Sequence, residues 1–219
     1  MLNRKFSSLK SRTNHSRDVV CNGEKIQEMN PIELFKKWFS EEIKLSKLSI
    51  PTACCLSTVG KDGYPNSRFV SLKEVVNDSF VITGSLNSRK GSEIENCSKV
   101  ALSFWWTSTE RQIRIQGDAQ KISEFNAENY FDERTRDSKI VSNIFEQGKQ
   151  IQSIERIQEF FLERKKELEN KEIKRPKGWS GIYIIPIRIE FMEFKKSRLH
   201  QRTLYQQINN KWETIILQP

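Results

Sequence analysis

The sequence has little of the material that membrane, secreted or metal-binding proteins require. It contains no run of about 18 apolar residues, which excludes a membrane-spanning helix. Its N-terminal stretch lacks the apolar core of a secretory signal. The two histidines, His15 and His200, and the four cysteines stand at none of the spacings typical of zinc ligands, so we expect no metal site.

Two further absences narrow the choice of compartment and fold. Cys54 and Cys55 are adjacent in a predicted strand and would point to opposite faces, so we expect free thiols and a reducing, cytoplasmic compartment. No Gly-x-Gly-x-x-Gly motif is present, so the sequence does not support a Rossmann nucleotide site.

Positive charge is abundant. The net charge is +9 and the isoelectric point is near 9.4, which favours an acidic partner such as nucleic acid, a lipid headgroup or a phosphorylated small molecule. Residues 1–28 predict a flexible basic leader, with a transit-like or nucleic-acid-binding arm as the alternative, and residues 29–219 predict one domain. Because no strand has the aromatic and basic signature of RNA binding, we expect a small molecule, no nucleic acid and no membrane.

The order of predicted elements indicates a mainly β, α+β fold. Hairpin-connected strands come first, helices follow, and strands return at the end, which favours a closed antiparallel barrel with helices packed outside. The predicted helices cover residues 31–47, 88–97 and about 124–170, the last with an apolar stripe, and the predicted strands cover 52–59, 67–76, 79–83, 100–106, 112–123, 182–194, 202–207 and 212–217. A turn is predicted at Asn77 and Asp78. In the strand over 112–123, Gln112 and Arg114 alternate with Ile113 and Ile115, which predicts one polar and one apolar face.

Basic residues on or beside strands are candidate ligands for anions. Arg68 and Lys73 lie at odd spacing in one predicted strand, so they would face opposite sides and meet two different anions; solvated charges on an edge strand are the alternative. Arg89 and Lys90, after a capping Asn87 or Ser88, would suit a phosphate at a helix start, although an ordinary capped helix with solvated basic residues has the same pattern.

Two further groups could hold a ligand. Tyr130, Arg134 and Ser138 are spaced four residues apart and would share one face of a continuous helix, which suits a second phosphate. Arg198 and His200 would share one side at strand spacing and could flank a planar ligand; a structural histidine is the alternative.

Together these segments, from Asn30 to Pro219, resemble the pyridoxamine 5'-phosphate oxidase family. The resemblance implies an antiparallel split β-barrel with peripheral helices, assembled as a homodimer with flavin mononucleotide (FMN) at the dimer interface. It also implies oxidation of pyridoxamine or pyridoxine 5'-phosphate to pyridoxal 5'-phosphate, with O2 reduced to hydrogen peroxide.

The resemblance assigns roles by motif. It implies that the FMN ligands are Arg68, Phe69, Val70, Ser71, Thr83, Gly84, Arg89, Lys90, Gln112, Gln147, Trp179 and Arg202. It implies that the substrate ligands are Lys73, Tyr130, Arg134, Ser138, Arg198 and His200, the last two being catalytic as well. Departures from the family pattern stand at Ser71, Gly84, Thr135 and Gly148, and the two glycines each remove a donor expected near FMN.

Two alternatives remain within the same fold. A related FMN-dependent oxidase of the phenazine-biosynthesis type would keep the flavin and change the substrate-phosphate residues, and the retention of Lys73 speaks against it. The other alternative is a non-catalytic flavin-binding split-barrel protein.

Overall fold

The computed structural model describes residues 29–219, which form five helices and nine strands. The predicted leader, residues 1–28, lies outside the described residues. The helices are α1 (Pro31–Leu45), α2 (Arg89–Asn96), α3 (Glu124–Asp132), α4 (Arg136–Ile144) and α5 (Ile154–Glu167). The strands are β1 (Ala53–Val59), β2 (Pro65–Ser71), β3 (Glu74–Val76), β4 (Ser79–Ser85), β5 (Lys99–Trp106), β6 (Arg111–Lys121), β7 (Trp179–Glu193), β8 (Gln201–Ile208) and β9 (Lys211–Leu217).

The strands form one antiparallel sheet whose two ends are joined by the chain itself. The order along the sheet is β2-β1-β5-β6-β7-β4-β3, and β8 and β9 extend from β7. Between β2 and β3 the chain passes from one end of this path to the other: the Leu72 N–H donates to Thr52 (2.9 Å) and the Lys73 N–H donates to Val81 (2.8 Å). The predicted fold class, an antiparallel split β-barrel with peripheral helices, is confirmed.

The prediction of one continuous strand over residues 67–76 is wrong. Strand β2 ends at Ser71, where its pairing with β1 ends, and β3 begins at Glu74, where pairing with β4 begins. Lys73 therefore lies in the crossing between two strands, and the alternation of a regular strand does not apply to it. The expectation that Arg68 and Lys73 face opposite sides by strand alternation fails for this reason.

Tight turns join the neighbouring strands. Asn77 and Asp78, between β3 and β4, both have left-handed backbones (φ 47° and 56°), as do Asn209 and Asn210 between β8 and β9 (φ 51° and 61°). Two consecutive left-handed residues suit the right-handed twist of a two-residue hairpin, and asparagine and aspartate tolerate this conformation best after glycine. The turn predicted at residues 77–78 is confirmed.

Helix α1 provides much of the aromatic core. Its first turn is capped by Asn30, whose side-chain oxygen accepts the Ile32 N–H at 2.8 Å, and Pro31 occupies the first helical position. The ring of Phe35 lies 4.8 Å from that of Phe80 and 5.2 Å from that of Phe104, centroid to centroid. The side chain is fully buried, so α1 is anchored to the barrel interior through this ring.

The prediction of one helical region over residues 124–170 needs two corrections. The region contains three helices, because the chain leaves the helical conformation after Asp132 and again after Ile144. The apolar stripe predicted for the last helix does not enter the core: no residue of α5 is buried, and Ile154 is 71% exposed. Contact with the rest of the chain includes the ring of Phe160, which lies 5.7 Å from that of Phe145.

Other expectations can be compared directly with the described residues. Cys54, Cys55 and Cys97 are free thiols, with Cys54 buried. Within residues 29–219 no helix combines the length and the apolar character that a membrane crossing needs.

A buried carboxylate on α1 organises the turn between β5 and β6. Glu42 is 1% exposed, and its carboxylate accepts the backbone N–H groups of Ser108 (3.2 Å) and Thr109 (3.0 Å) and the Thr109 hydroxyl (2.9 Å). The turn ends at Glu110, which has a left-handed backbone (φ 53°). The Glu42 side chain thus replaces water as the acceptor for this turn.

We expect Glu42→Ala to lower the free energy of unfolding by about 2 kcal/mol, because it removes the acceptor of three hydrogen bonds. Glu33→Ala, which changes an exposed carboxylate on the same helix, is the matched control and should cost less than about 1 kcal/mol. Urea unfolding of the two variants measures the difference. Equal losses would show that the Glu42 contacts do not stabilise the turn.

Candidate functional site

A cavity of about 750 Å³ lies where the ends of β2 and β4 meet the helical region. Nine of the predicted site residues line it: Phe69, Val70, Ser71, Thr83, Gly84, Lys90, Arg134, Gln147 and Trp179. The wall also includes Asn87, named above only as a candidate helix cap, and Ser142, Asn143 and Lys149, which sequence reasoning did not identify. The closure of the barrel brings β2 and β4 to the same side, so residues distant in sequence share one wall.

Lys90 brings to the cavity a positive charge that no carboxylate of residues 29–219 pairs with. Its Nζ atom lies 3.0 Å from the Ser88 hydroxyl and 2.8 Å from the side-chain oxygen of Gln147, and both of these partners are neutral. Burial, and then the nearby charge of Arg68, lower the pKa of Lys90. A half-buried ammonium with only neutral partners favours an anionic ligand, which would offset the cost of desolvation.

The N-terminus of α2 lies beside Lys90. Ser88, one of the two cap residues that the sequence offered, is the N-cap residue, but its hydroxyl donates to the Ser85 carbonyl (2.6 Å) and makes no capping hydrogen bond to the helix. In the described part of the chain, no side chain therefore caps the first N–H groups of α2. An uncapped helix N-terminus next to a lysine suits a phosphate group, because both attract negative charge.

Arg68 and Arg89 do not line the cavity; they meet at a buried carboxylate, that of Glu93. The Arg68 Nη2 atom lies 3.0 Å from one Glu93 oxygen, and the Arg89 Nε atom lies 2.8 Å from the other. Burial alone would raise the pKa of Glu93, but hydrogen bonds from Thr58, Arg89 and Arg68 outweigh burial and lower that pKa. Glu93 is therefore held as a carboxylate between two guanidinium groups.

The predicted helical stripe of Tyr130, Arg134 and Ser138 is wrong. Helix α3 ends at Asp132, and the Thr135 hydroxyl accepts the Ser138 N–H as the cap of α4, so Arg134 lies between two helices. Of the three residues only Arg134 lines the cavity; its guanidinium stacks 4.9 Å from the ring centre of Trp179. A local hydroxyl cap started a new helix where residue spacing alone predicted continuity.

Lys73 and Tyr130 form a second polar cluster next to the β2 end of the cavity. The Lys73 ammonium lies 2.6 Å from the Glu133 carboxylate and 5.8 Å from the centre of the Tyr130 ring, and the Tyr130 hydroxyl donates to Glu74. Burial and then the Glu74 carboxylate raise the pKa of Tyr130, so its phenol stays protonated as a donor. The Glu133 side chain is 59% exposed, so an anion could replace it at Lys73 with little loss.

Gln112, Arg198, His200 and Arg202 do not line this cavity. Gln112 on β6 and Arg202 on β8 both pair with Met192 on β7, so these three residues lie side by side across the sheet. The Arg202 guanidinium also donates to Glu190, from Nε at 2.9 Å and from Nη2 at 2.7 Å. Met192 was missed by sequence reasoning, since cross-strand neighbours cannot be identified before the register is known.

The expectation that Arg198 and His200 share one side of a strand is wrong. Strand β7 ends at Glu193 and β8 begins at Gln201, and Arg198 has a left-handed backbone (φ 67°) in the turn between them. The His200 Nδ1 atom accepts the Lys195 N–H at 3.1 Å, and its ring centre lies 4.9 Å from that of Phe194. Because a backbone N–H can only donate, Nε2 is the nitrogen left to carry a proton in the neutral imidazole.

Strand β7 separates the two groups of predicted site residues. Trp179, at its start, lines the cavity, whereas Met192, near its end, lies between Gln112 and Arg202. Thirteen residues of extended strand correspond to about 40 Å along the chain. The structure of one chain thus brings together the residues around Lys90 and Arg134 and leaves the group around Arg202 and His200 apart from them.

Two family models match this chain. Residues 40–160 match the model described as pyridoxamine 5'-phosphate oxidase, and residues 179–219 match the model of the pyridoxine 5'-phosphate oxidase C-terminal dimerisation region. The second match begins at Trp179 and includes all of β7, β8 and β9.

Relatives and solved structures agree with the family models. The pyridoxine/pyridoxamine 5'-phosphate oxidase of Nostoc punctiforme is 40% identical and covers 88% of this chain and 90% of its own length. The Leptospira biflexa protein of the same name is 38% identical, and the match covers 95% of this chain and 97% of that protein. The structure of PhzG from Burkholderia lata, in complex with tetrahydrophenazine-1-carboxylic acid, is 25% identical with a TM-score of 0.84. This match covers 92% of this chain and 98% of the PhzG chain.

The lowered pKa of Glu93 predicts a contribution to acid stability. The folded chain keeps this carboxylate ionised below its ordinary pKa of 4.5, so the stabilisation is fully present above that pH and is lost as the pH falls through the folded value. The free energy of unfolding should therefore fall less steeply in Glu93→Gln than in the wild type between about pH 5 and pH 3. Urea unfolding at successive pH values measures this, and parallel curves would contradict it.

Proposed function

The chain belongs to the pyridoxamine 5'-phosphate oxidase family, and on that premise we propose that it is an FMN-dependent oxidase of pyridoxamine and pyridoxine 5'-phosphates. The product would be pyridoxal 5'-phosphate, with O2 as the electron acceptor and hydrogen peroxide as the second product. When bound, FMN supplies the two-electron oxidation of the substrate's 4' carbon. The chain's own residues bind and orient the two phosphorylated molecules.

The observation that carries the proposal is the uncompensated charge of Lys90 beside the uncapped N-terminus of α2. Together with Arg68 and Arg89, these groups suit the phosphate of FMN. Thr83 and Gly84 form the adjoining wall, where a side chain added at Gly84 would lie 3.7 Å from Lys90 Nζ. The glycine therefore leaves space next to the cation that we assign to the flavin phosphate.

Lys73, Tyr130, Arg134 and Ser138 would hold the substrate phosphate. Lys73 and Tyr130 lie together, Arg134 lines the cavity, and Ser138 is in the first turn of α4. An ammonium, a guanidinium and two hydroxyls are the donors that a phosphate monoester requires. The exposed carboxylates that pair with them, Glu133 with Lys73 and Glu74 with Tyr130, would be displaced on binding.

We further propose that the active unit is a homodimer in which each site takes residues from both chains. This would bring Gln112, Arg198, His200 and Arg202 of one subunit to the cavity of the other, across the distance that β7 imposes within one chain. Ile215 and Ile216 on β9, which are 43% and 58% exposed, lie in the segment that matches the dimerisation region. Exposed isoleucines on an outer strand are typical of a surface that packs against a partner.

Arg198 and His200 are the proposed catalytic residues. Because the His200 Nδ1 atom is occupied by the Lys195 N–H, the Nε2 atom would face the substrate and donate a hydrogen bond to it. Arg198, exposed in the same turn, would cover the substrate on the side away from the flavin. Their task is to hold the reacting carbon against the flavin.

A second candidate substrate class is a tricyclic carboxylic acid of the kind bound in the Burkholderia lata PhzG structure. Its high structural similarity, with a TM-score of 0.84, favours this candidate. The phosphate-suited cluster at Lys73 and Tyr130 favours the phosphorylated substrate instead.

Purified protein reconstituted with FMN should be yellow and should form hydrogen peroxide from pyridoxine and pyridoxamine 5'-phosphates. The absorbance spectrum and a peroxidase-coupled assay measure the two properties, and the unphosphorylated vitamers serve as controls. Peroxide formed from a tetrahydrophenazine carboxylic acid alone would favour the second candidate. A protein that cannot take up FMN would refute both.

Arg198→Ala should lower turnover at least about 100-fold with little change in FMN affinity, whereas Arg89→Ala should mainly weaken FMN binding. The physical reason is that we place Arg198 against the substrate and Arg89 at the flavin phosphate. Flavin fluorescence titration and steady-state kinetics separate the two effects. Equal loss of FMN affinity in both variants would contradict the assignment.

Mixing the same two variants tests the composite site. If each site uses Arg89 of one chain and Arg198 of the other, a hybrid dimer has one site with both lesions and one intact site. At an FMN concentration that loads the wild type but not the Arg89→Ala protein, both parent variants are nearly inactive, and random exchange of subunits should restore about a quarter of the wild-type activity. No recovery under conditions where subunit exchange is demonstrated would show that each site is built from one chain.

A further inference from the structure

Glu93 is a buried carboxylate with all of its acceptor positions filled. Its side chain is 3% exposed. One oxygen accepts from Thr58 Oγ1 (2.5 Å) and Arg68 Nη2 (3.0 Å), and the other accepts from Asn66 Nδ2 (2.7 Å) and Arg89 Nε (2.8 Å). A carboxylate offers about four acceptor positions, so none is left for a ligand. Two of the four donors are the arginines assigned above to the FMN phosphate.

These contacts fix the Arg68 guanidinium in one orientation. Its Nη1 atom lies within hydrogen-bonding distance of Thr58 Oγ1 (2.5 Å) and of the carbonyl oxygens of Leu56 (3.3 Å) and Asn66 (3.2 Å), while Nη2 donates to Glu93. Within residues 29–219, the Nε hydrogen and one Nη2 hydrogen then remain without an acceptor. A guanidinium held along one side presents its remaining donors in a defined direction.

Arg89 is held at one end only. Its Nε atom donates to Glu93, four residues further along α2, whereas its side chain is 65% exposed and its Nη2 atom lies 3.8 Å from Asp62. Glu93 thus anchors the Arg89 guanidinium at Nε and leaves the terminal nitrogens towards solvent. The anchor restricts a side chain that would otherwise lose much rotamer freedom on binding a ligand.

The charges of this group favour an anion. Arg68, Arg89 and Lys90 bring three positive charges, whereas Glu93 and the exposed Asp62 bring two negative charges, so the group keeps a net positive charge for a phosphate group. Without the Glu93 carboxylate, three cations would repel one another in a partly buried volume.

We propose that Glu93 is a positioning residue that sets Arg68 and Arg89 for the phosphate group of the cofactor and so makes the cavity selective for phosphorylated over unphosphorylated flavin. This inference rests on the proposed binding of FMN. Glu93 touches neither ligand and acts through the two arginines. A purely structural role, joining α2 to β1 and β2, would affect all flavins alike.

The test compares FMN with riboflavin, which has the same ring system and no phosphate. In Glu93→Gln, which keeps the size and loses the charge, the dissociation constant of FMN should rise about 10- to 100-fold, the equivalent of one lost charge-assisted hydrogen bond. That of riboflavin should change less than about 3-fold, because no phosphate contact is involved. Glu95→Gln, an exposed carboxylate on the same helix, is the matched control and should leave both constants unchanged.

Thr58→Val is the second variant. It removes the hydroxyl that donates to Glu93 and accepts from Arg68 and keeps every charge, so it tests orientation separately from electrostatics. We expect the dissociation constant of FMN to rise about 3- to 10-fold and that of riboflavin to stay unchanged. If Glu93→Gln does not fold, the difference between the two flavins in Thr58→Val tests the positioning role instead.

The outcomes separate the two proposals. A wild-type protein that binds neither flavin refutes the proposed function and this inference with it. A wild-type protein that binds FMN, with equal weakening of FMN and riboflavin in the variants, overturns only the positioning role. An unchanged FMN affinity in folded Glu93→Gln would also overturn the positioning role of Glu93.

Discussion

The crossing of the chain at Leu72 and Lys73 is the constraint on which the rest of the molecule depends. At these two residues the backbone changes hydrogen-bonding partner, from Thr52 on one side to Val81 on the other, and joins the ends of the sheet. This closure places the ends of β2 and β4 in one wall, so the cavity exists because the barrel closes there. It also places Lys73 outside any regular strand, next to Tyr130.

Incomplete charge compensation is the second common feature of the site. Glu93 holds two arginines in place, whereas Lys90 has neutral partners and Lys73 has an exposed one. A fully paired site would bind anions poorly, and a wholly unpaired one would be costly to fold. The observed arrangement fixes the geometry and retains a net positive charge, which suits two phosphorylated ligands in neighbouring positions.

The sequence predicted correctly those features that depend on residues close together in the chain. It failed for features that depend on an interrupting cap or on a contact between distant segments. The alternation of Gln112 and Arg114 with Ile113 and Ile115 correctly identified the polar and apolar faces of β6. The spacing of Tyr130, Arg134 and Ser138 misled, because the Thr135 cap interrupts the helix. Glu93 had one readable signal, its position four residues after Arg89 on a predicted helix, but burial and the contact with Arg68 were not visible.

The sequence by itself determined the class of fold, most strand positions, the turn at residues 77–78 and the family, because these follow from side-chain periodicity, turn chemistry and ordered motifs. The tertiary structure alone decided where β2 ends, which residues share the cavity and which stand some 40 Å of strand away. The physical reason is that strand register, closure and burial arise from pairing between distant segments. No local pattern specifies such a pairing before the chain has folded.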